Sequence, residues 1–129
     1  MVVPIATEPS AQPLVVPLPE PDGPSLLGTW EGTGHQSDGP IWPMKVKVVA
    51  FRKGTCAHVD YPSLHCSGVW ECTVATDGLW LRGQEILLHS HADCIDGGTV
   101  ELVYDETHGV ARFEWSGQGI TAEAELRRP

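Results

Sequence analysis

Tyr61-Pro62-Ser63-Leu64-His65-Cys66-Ser67-Gly68-Val69-Trp70-Glu71-Cys72 reads as a turn that runs straight into a strand. Pro62 has no N–H to give a sheet ladder, and it pushes Tyr61 into an extended conformation. Residues 61–65 are therefore a strand end followed by a turn. If residues 54–61 pair antiparallel with 66–76 and the turn centres on 63–65, Cys56 falls opposite Cys72, His58 opposite Trp70 and Asp60 opposite Gly68, all six on one face.

The next turn, Thr76-Asp77-Gly78-Leu79, sets the type I′ pair Asp-Gly between two runs of strand-forming residues. Counting back from it sets Val74 opposite Leu81, Cys72 opposite Gly83 and Trp70 opposite Glu85, with Ala75/Trp80 and Thr73/Arg82 on the other face. The two turns together predict one row of His58, Trp70 and Glu85 on the inner face of a sheet, either a closed hydrogen-bonded cluster that fixes strand register or the few placed polar groups of an otherwise apolar ligand pocket. Four cysteines can pair in three ways. The hairpin register brings Cys56 to Cys72 and leaves Cys66 for Cys94, a bridge worth roughly 3 kcal/mol on the chain-entropy model.

The pattern Tyr61-Pro-Ser-Leu-x-Cys-Ser-Gly, then Glu85, then Cys94-Ile95-Asp96-Gly97-Gly98, resembles a small all-β domain at the extracytoplasmic C-terminal ends of some bacterial serine/threonine kinases and in secreted or lipid-anchored bacterial proteins. In that family the chain opens on a Gly-x-Trp strand, here Gly28-Thr29-Trp30. The resemblance covers Leu26 to about Arg127. It implies a fold but no activity, and no kinase residues are present to carry over. Cys56 and Cys72 are additions to the pattern.

A chain of 129 residues with 41% hydrophobic content fits one domain with a modest core. The formal charge of −9 and the absence of a basic cluster argue against nucleic-acid or anionic-membrane partners. No run of apolar residues is long enough to insert into a membrane. Four cysteines in a short Gly- and Pro-rich chain favour disulfides and an extracytoplasmic location, whether secreted, periplasmic or cell-surface. Met1-Val2-Val3-Pro4-Ile5 has neither a basic region nor an unbroken apolar core of a signal peptide. Two expectations stay open: the sequence starts downstream of an export or membrane segment, or the protein is cytoplasmic and its cysteines stay reduced or hold metal.

Residues 1–24 hold seven of the eleven prolines and three acidic residues but no basic ones. This is a semi-rigid extended tail, read either as a spacer or as an arm whose segment 14–18 docks on a neighbouring subunit. Residues 25–129 form the domain. Strands are predicted near 28–36, 43–52, 54–61, 66–76, 79–89, 98–104, 110–116 and 119–127, with no helix. Met44/Val46/Val48/Ala50 alternate with Lys45/Lys47, and Ile120/Ala122/Ala124/Leu126 with Thr121/Glu123/Glu125/Arg127, as antiparallel strands with one wet face do. The expected fold is all-β, a small antiparallel up-and-down barrel of about eight strands, lipocalin-like; a β-sandwich is the alternative. Gly28-Thr29-Trp30 and the closing Leu126-Arg127-Arg128 also resemble the calycin barrels. That resemblance implies that Trp30 plugs one barrel end and that Arg127 or Arg128 covers it.

Candidate chemistry is sparse. Cys56-x-His58, His65-Cys66 and His89-x-His91-x-x-Cys94 are soft and borderline ligands for zinc or copper, but no spacing matches a tight two-cysteine knuckle. Ser67, His65 and Asp60 list a nucleophile, base and orienter, yet Ser67 sits mid-strand without the second glycine of an elbow. Asp60 with Glu85 is a conceivable glycosidase pair in a domain small for a polysaccharide. Trp42, between Pro40 and Pro43, is the best candidate for an exposed ring at a barrel mouth, with a lid on the core as the alternative. The reading is a non-enzymatic, extracytoplasmic binding or envelope-associated module without a cofactor, taking a small ligand through His58, Trp70, Glu85 and Trp42, or a protein partner. The alternatives are a subunit of a larger assembly, such as a virion decoration or a cell-surface complex, docking through residues 1–24, and third a His/Cys metal-binding protein.

Overall fold

The structure, a computed structural model, describes residues 25–75, 78–90 and 94–129. The arm at 1–24, the Asp-Gly turn at Thr76 and Asp77, and His91 lie outside the described residues. Eight strands close into an antiparallel up-and-down barrel: β1 Gly28–Gln36, β2 Ile41–Val48, β3 Gly54–Tyr61, β4 Cys66–Ala75, β5 Trp80–His89, β6 Thr99–Asp105, β7 Val110–Gly117 and β8 Ile120–Arg127. Each pairs with the next in sequence, and β8 closes on β1. Closure leaves no strand edge exposed along the wall. No described helix is long and apolar enough to cross a membrane.

Alternation decides which side chains fill the interior. In β2, Trp42, Met44, Val46 and Val48 point in while Ile41, Pro43, Lys45 and Lys47 point out. In β8, Ala122, Ala124 and Leu126 point in between acidic and basic residues. The expected strand at 43–52 ends instead at Val48, because the amides of Val49 and Ala50 both turn back to the Cys56 carbonyl, at 2.8 and 3.3 Å. The barrel is filled rather than hollow. Trp70 stacks on Phe113 inside it, with ring centroids 5.6 Å apart and planes 9° from parallel, and Leu81, Leu102, Leu126, Val46 and Val100 are buried in the same core.

One end is sealed. Trp30 is fully buried there and its indole N–H donates to the Leu26 carbonyl at 2.8 Å. The Arg128 guanidinium lies 3.9 Å from the centre of the Trp30 ring and donates to the carbonyls of Leu27 and Ser25, at 2.6 and 2.7 Å. Arg127, the other candidate for this cover, points outward and pairs with Glu125 on the wall. Alternation is the reason: Leu126 is inward, so Arg127 must face solvent, and Arg128 reaches the barrel end only because it follows the last strand.

The first hairpin differs from its expected register by one residue, with large consequences. Pro62–Leu64 forms one 3-10 turn and His65 adopts the left-handed region (φ 57°, ψ 40°), so the loop has four residues and Tyr61 pairs with Cys66. A one-residue slip sends every side chain to the opposite face. His58 therefore sits opposite Val69 on the outside, exposed, and Ala57, Val59 and Tyr61 take the interior. A bulge then absorbs one extra residue at Cys56, between the pairs Thr55/Glu71 and Ala57/Trp70. The bulge turns Cys56 inward beside Ala57, and Cys56 and Cys72 are joined by a disulfide with Cα atoms 5.7 Å apart, although they are not direct neighbours in the ladder. In the second hairpin Trp70 faces Glu85 and Cys72 faces Gly83, as the Asp-Gly count predicts. Beyond Cys72 the ladder slips by one, so Val74 lies opposite Arg82 and Ala75 opposite Leu81.

Candidate functional site

The other barrel end is where β1, β3, β5 and β7 finish, and it carries the only buried carboxylate among the described residues. Glu85 is 2% exposed. Its inward direction follows from alternation in β5, where Leu81, Gly83 and Glu85 share a face. Three neutral donors surround it: the Tyr61 hydroxyl, the Trp70 indole N–H at 3.1 Å, and the Trp115 side chain. Burial pushes the Glu85 carboxyl above the ordinary value of 4.5, the three donors pull it back, and the negative charge of Asp96 pushes it up again. Tyr61 moves well above its ordinary value, first through burial and then through the neighbouring carboxylate, so the shared proton stays on Tyr61.

Above this cluster lies a cavity of about 50 Å³ lined by Gln36, Trp42, Tyr61, Leu64, Leu87, Cys94, Ile95 and Trp115. That is room for one or two waters or one branch of a small group, and well short of the roughly 300 Å³ of a drug-sized pocket. Trp42 is 6% exposed, not a ring displayed on a loop. It stands on β2 facing inward, edge-on to Tyr61 with centroids 5.1 Å apart, and its N–H donates to the Gln36 side chain at 2.8 Å. Gly34, its direct neighbour on β1, makes room for the ring, since a Cβ there would lie 2.1 Å from the indole.

The segment Cys94-Ile95-Asp96-Gly97-Gly98 forms the rim. Its backbone pairs with β5 on both sides of Glu85, the Glu85 amide donating to Gly98 at 2.8 Å and the Gly97 amide to Glu85 at 3.2 Å. Asp96 accepts the Leu87 amide at 2.9 Å. Gly97 takes a positive φ of 87°, and a Cβ on Gly98 would sit 2.0 Å from the Trp115 indole nitrogen. Both glycines of that motif thus have a physical cause. The second disulfide, Cys66–Cys94, ties the rim to the start of β4 across 28 residues. Replacing both cysteines by alanine is expected to cost roughly 3 kcal/mol. It should also speed hydrogen exchange at the Leu87 and Gly97 amides while leaving β2 protected. Unchanged exchange at those two amides would show that the bridge does not hold the rim.

Of the residues expected at one site, the structure brings Trp70, Glu85 and Trp42 to this end and excludes His58, which is on the outer wall for the reason of register given above. Tyr61 occupies the place His58 was expected to fill. Tyr61, Trp115 and Asp96 were missed by sequence reasoning. A buried Glu at an inward position demands donors, and the inward alternation of Phe113 and Trp115 in β7 was the signal that could have found one of them. The metal reading loses its thiolates, because all four cysteines are in disulfides, and no cluster of potential ligands exists among the described residues. Asp60 is exposed on the outside while Glu85 is buried inside, so the barrel wall separates the two carboxylates of the glycosidase reading. Ser67 lies within β4, opposite Asp60, with no exposed elbow. No protein-family model matches the chain, and no curated protein is significantly similar to it.

Proposed function

We propose that this chain is a non-enzymatic binding module that works outside the cytoplasm, and that its unsealed barrel end is the binding site. The observation that carries the reading is the asymmetry of the two ends. One is closed by Trp30 and Arg128; the other holds a small cavity walled by Trp42, Tyr61 and Trp115 with a hydrogen-bonded carboxylate beneath. Few placed polar groups in an otherwise apolar, concave setting are the usual character of a ligand site. Two disulfides in so small a barrel suit an oxidising compartment. The absence of enzymatic activity is part of the proposal, and its support is that Glu85 is enclosed by its donors while Asp60 and Ser67 face another side of the wall.

Calorimetric titration with small branched solutes tests this, using wild type and Ile95→Phe, which fills the cavity from its half-buried rim. Saturable binding to wild type, lost in Ile95→Phe, is the expected result. Equal binding by both proteins would place the site elsewhere, and no binding by either would remove the reading.

A further inference from the structure

The Glu85 carboxylate is buried, and no Lys, Arg or His forms an ion pair with it among the described residues. Buried charges are ordinarily paired or metal-bound. Glu85 has only neutral donors, and the nearest charge acting on it is Asp96, a second carboxylate at the exposed rim. Both charges named here are negative, and the net charge of −9 has the same sign at longer range. The cavity is lined by the rings of Trp42, Tyr61 and Trp115 together with Leu64, Leu87 and Ile95, and Glu85 lies behind the two of these rings that donate to it, Tyr61 and Trp115. Rings in place of oxygen ligands suit a weakly hydrated organic cation rather than a metal ion.

We infer that the cavity takes a small alkylated ammonium group, with Trp42, Tyr61 and Trp115 around its methyl groups and Glu85 and Asp96 as its countercharges. The inference rests on the proposed binding role of this end and names the ligand class that role would serve. The cavity of about 50 Å³ is smaller than a whole methylated ammonium head and admits one or two of its methyl groups, the remainder of the ligand staying at the mouth in solvent. No proton or bond changes hands: binding is electrostatic attraction and cation–π contact in a partly desolvated site.

Three probes of similar branched shape and different charge provide the test: tetramethylammonium, tert-butanol and pivalate, titrated calorimetrically at low salt. The expected order is tetramethylammonium about tenfold tighter than tert-butanol, with pivalate weakest. Glu85→Gln should abolish the preference for the cation, bringing tetramethylammonium and tert-butanol to equal affinity. Asp96→Asn, which keeps an oxygen for the Leu87 amide, should weaken the cation alone and serves if Glu85→Gln folds poorly. If tert-butanol or pivalate binds as well as the cation, the ammonium assignment is overturned while the binding role of this end stands. A cation preference that survives in both variants would also overturn it. If no probe binds, both the inference and the binding role fall.

Discussion

Trp30→Ala is expected to lower unfolding stability by about 3–5 kcal/mol, as for other fully buried aromatic residues. The ring has no exposed surface, packs edge-on to Tyr104 with centroids 6.0 Å apart, and holds residues 25–27 through its indole N–H. Its removal would open a cavity at the sealed end and free the Leu26 carbonyl. Arg128→Ala should cost less, about 1–2 kcal/mol, because it loses one cation–π contact and two hydrogen bonds at a partly wet site. Arg127→Ala, on the outer wall, should change stability by no more than about 0.5 kcal/mol. The Trp30 and Arg128 effects should not add, since one side chain lies on the other. Urea unfolding of wild type, the three single variants and the Trp30→Ala/Arg128→Ala double variant checks this; an Arg127→Ala effect larger than that of Arg128→Ala would contradict the observed cover.

Glu85→Leu is the second large effect. It strands the Tyr61 hydroxyl and the side-chain donors of Trp70 and Trp115, each worth about 1–3 kcal/mol when left buried and unpaired, but it also removes the cost of burying a carboxylate. A net loss of about 2–4 kcal/mol follows. Glu85→Gln keeps an acceptor oxygen and should be close to neutral. The two variants also separate the pH dependence. Burial raises the Glu85 carboxyl above 4.5 in the folded protein, so in the range between 4.5 and that raised value the folded state holds a proton the unfolded chain has released. Stability then falls as pH rises through this window. Glu85→Gln should flatten that decline. Asp105 works in the opposite sense and at lower pH. Hydrogen bonds from His108 and Arg112 lower it to about 2, so its contribution is present above the unfolded value of 3.8 and disappears as pH falls through about 2. A decline of the same slope in Glu85→Gln would mean that Glu85 is not its source.

Fold class was legible because period-2 alternation in β2 and β8 survives intact, and short turns between strands leave few topologies other than a meander. The disulfide pairing was legible for a less secure reason. Cys56 reaches Cys72 through a bulge, not through the direct opposition that the turn count predicts. The same turn count failed for His58, because a loop of four residues and one of three look alike in sequence when the extra residue is Pro62. Trp70 and Glu85 were placed correctly since the count from Asp77-Gly78 holds at their level, the slip lying nearer the turn. For Trp42 the sequence left a ring on a loop and a lid on the core both open, because Pro40 and Pro43 surround it. In fact a strand accommodates Pro43 on its outward side, and Gly34 opposite gives the indole its space. Tyr61, Trp115 and Asp96 come together from three distant parts of the chain, which no local pattern reports.

The five tryptophans offer the most direct measurement of where ligand sits. Heteronuclear NMR of the indole N–H groups during titration with tetramethylammonium and with tert-butanol should show saturable shifts at Trp42 and Trp115, at the unsealed end, with Trp30 and Trp80 unmoved. Saturable shifts confined to Trp30 or Trp80, or none from either probe, would contradict the assignment of this end as the binding site.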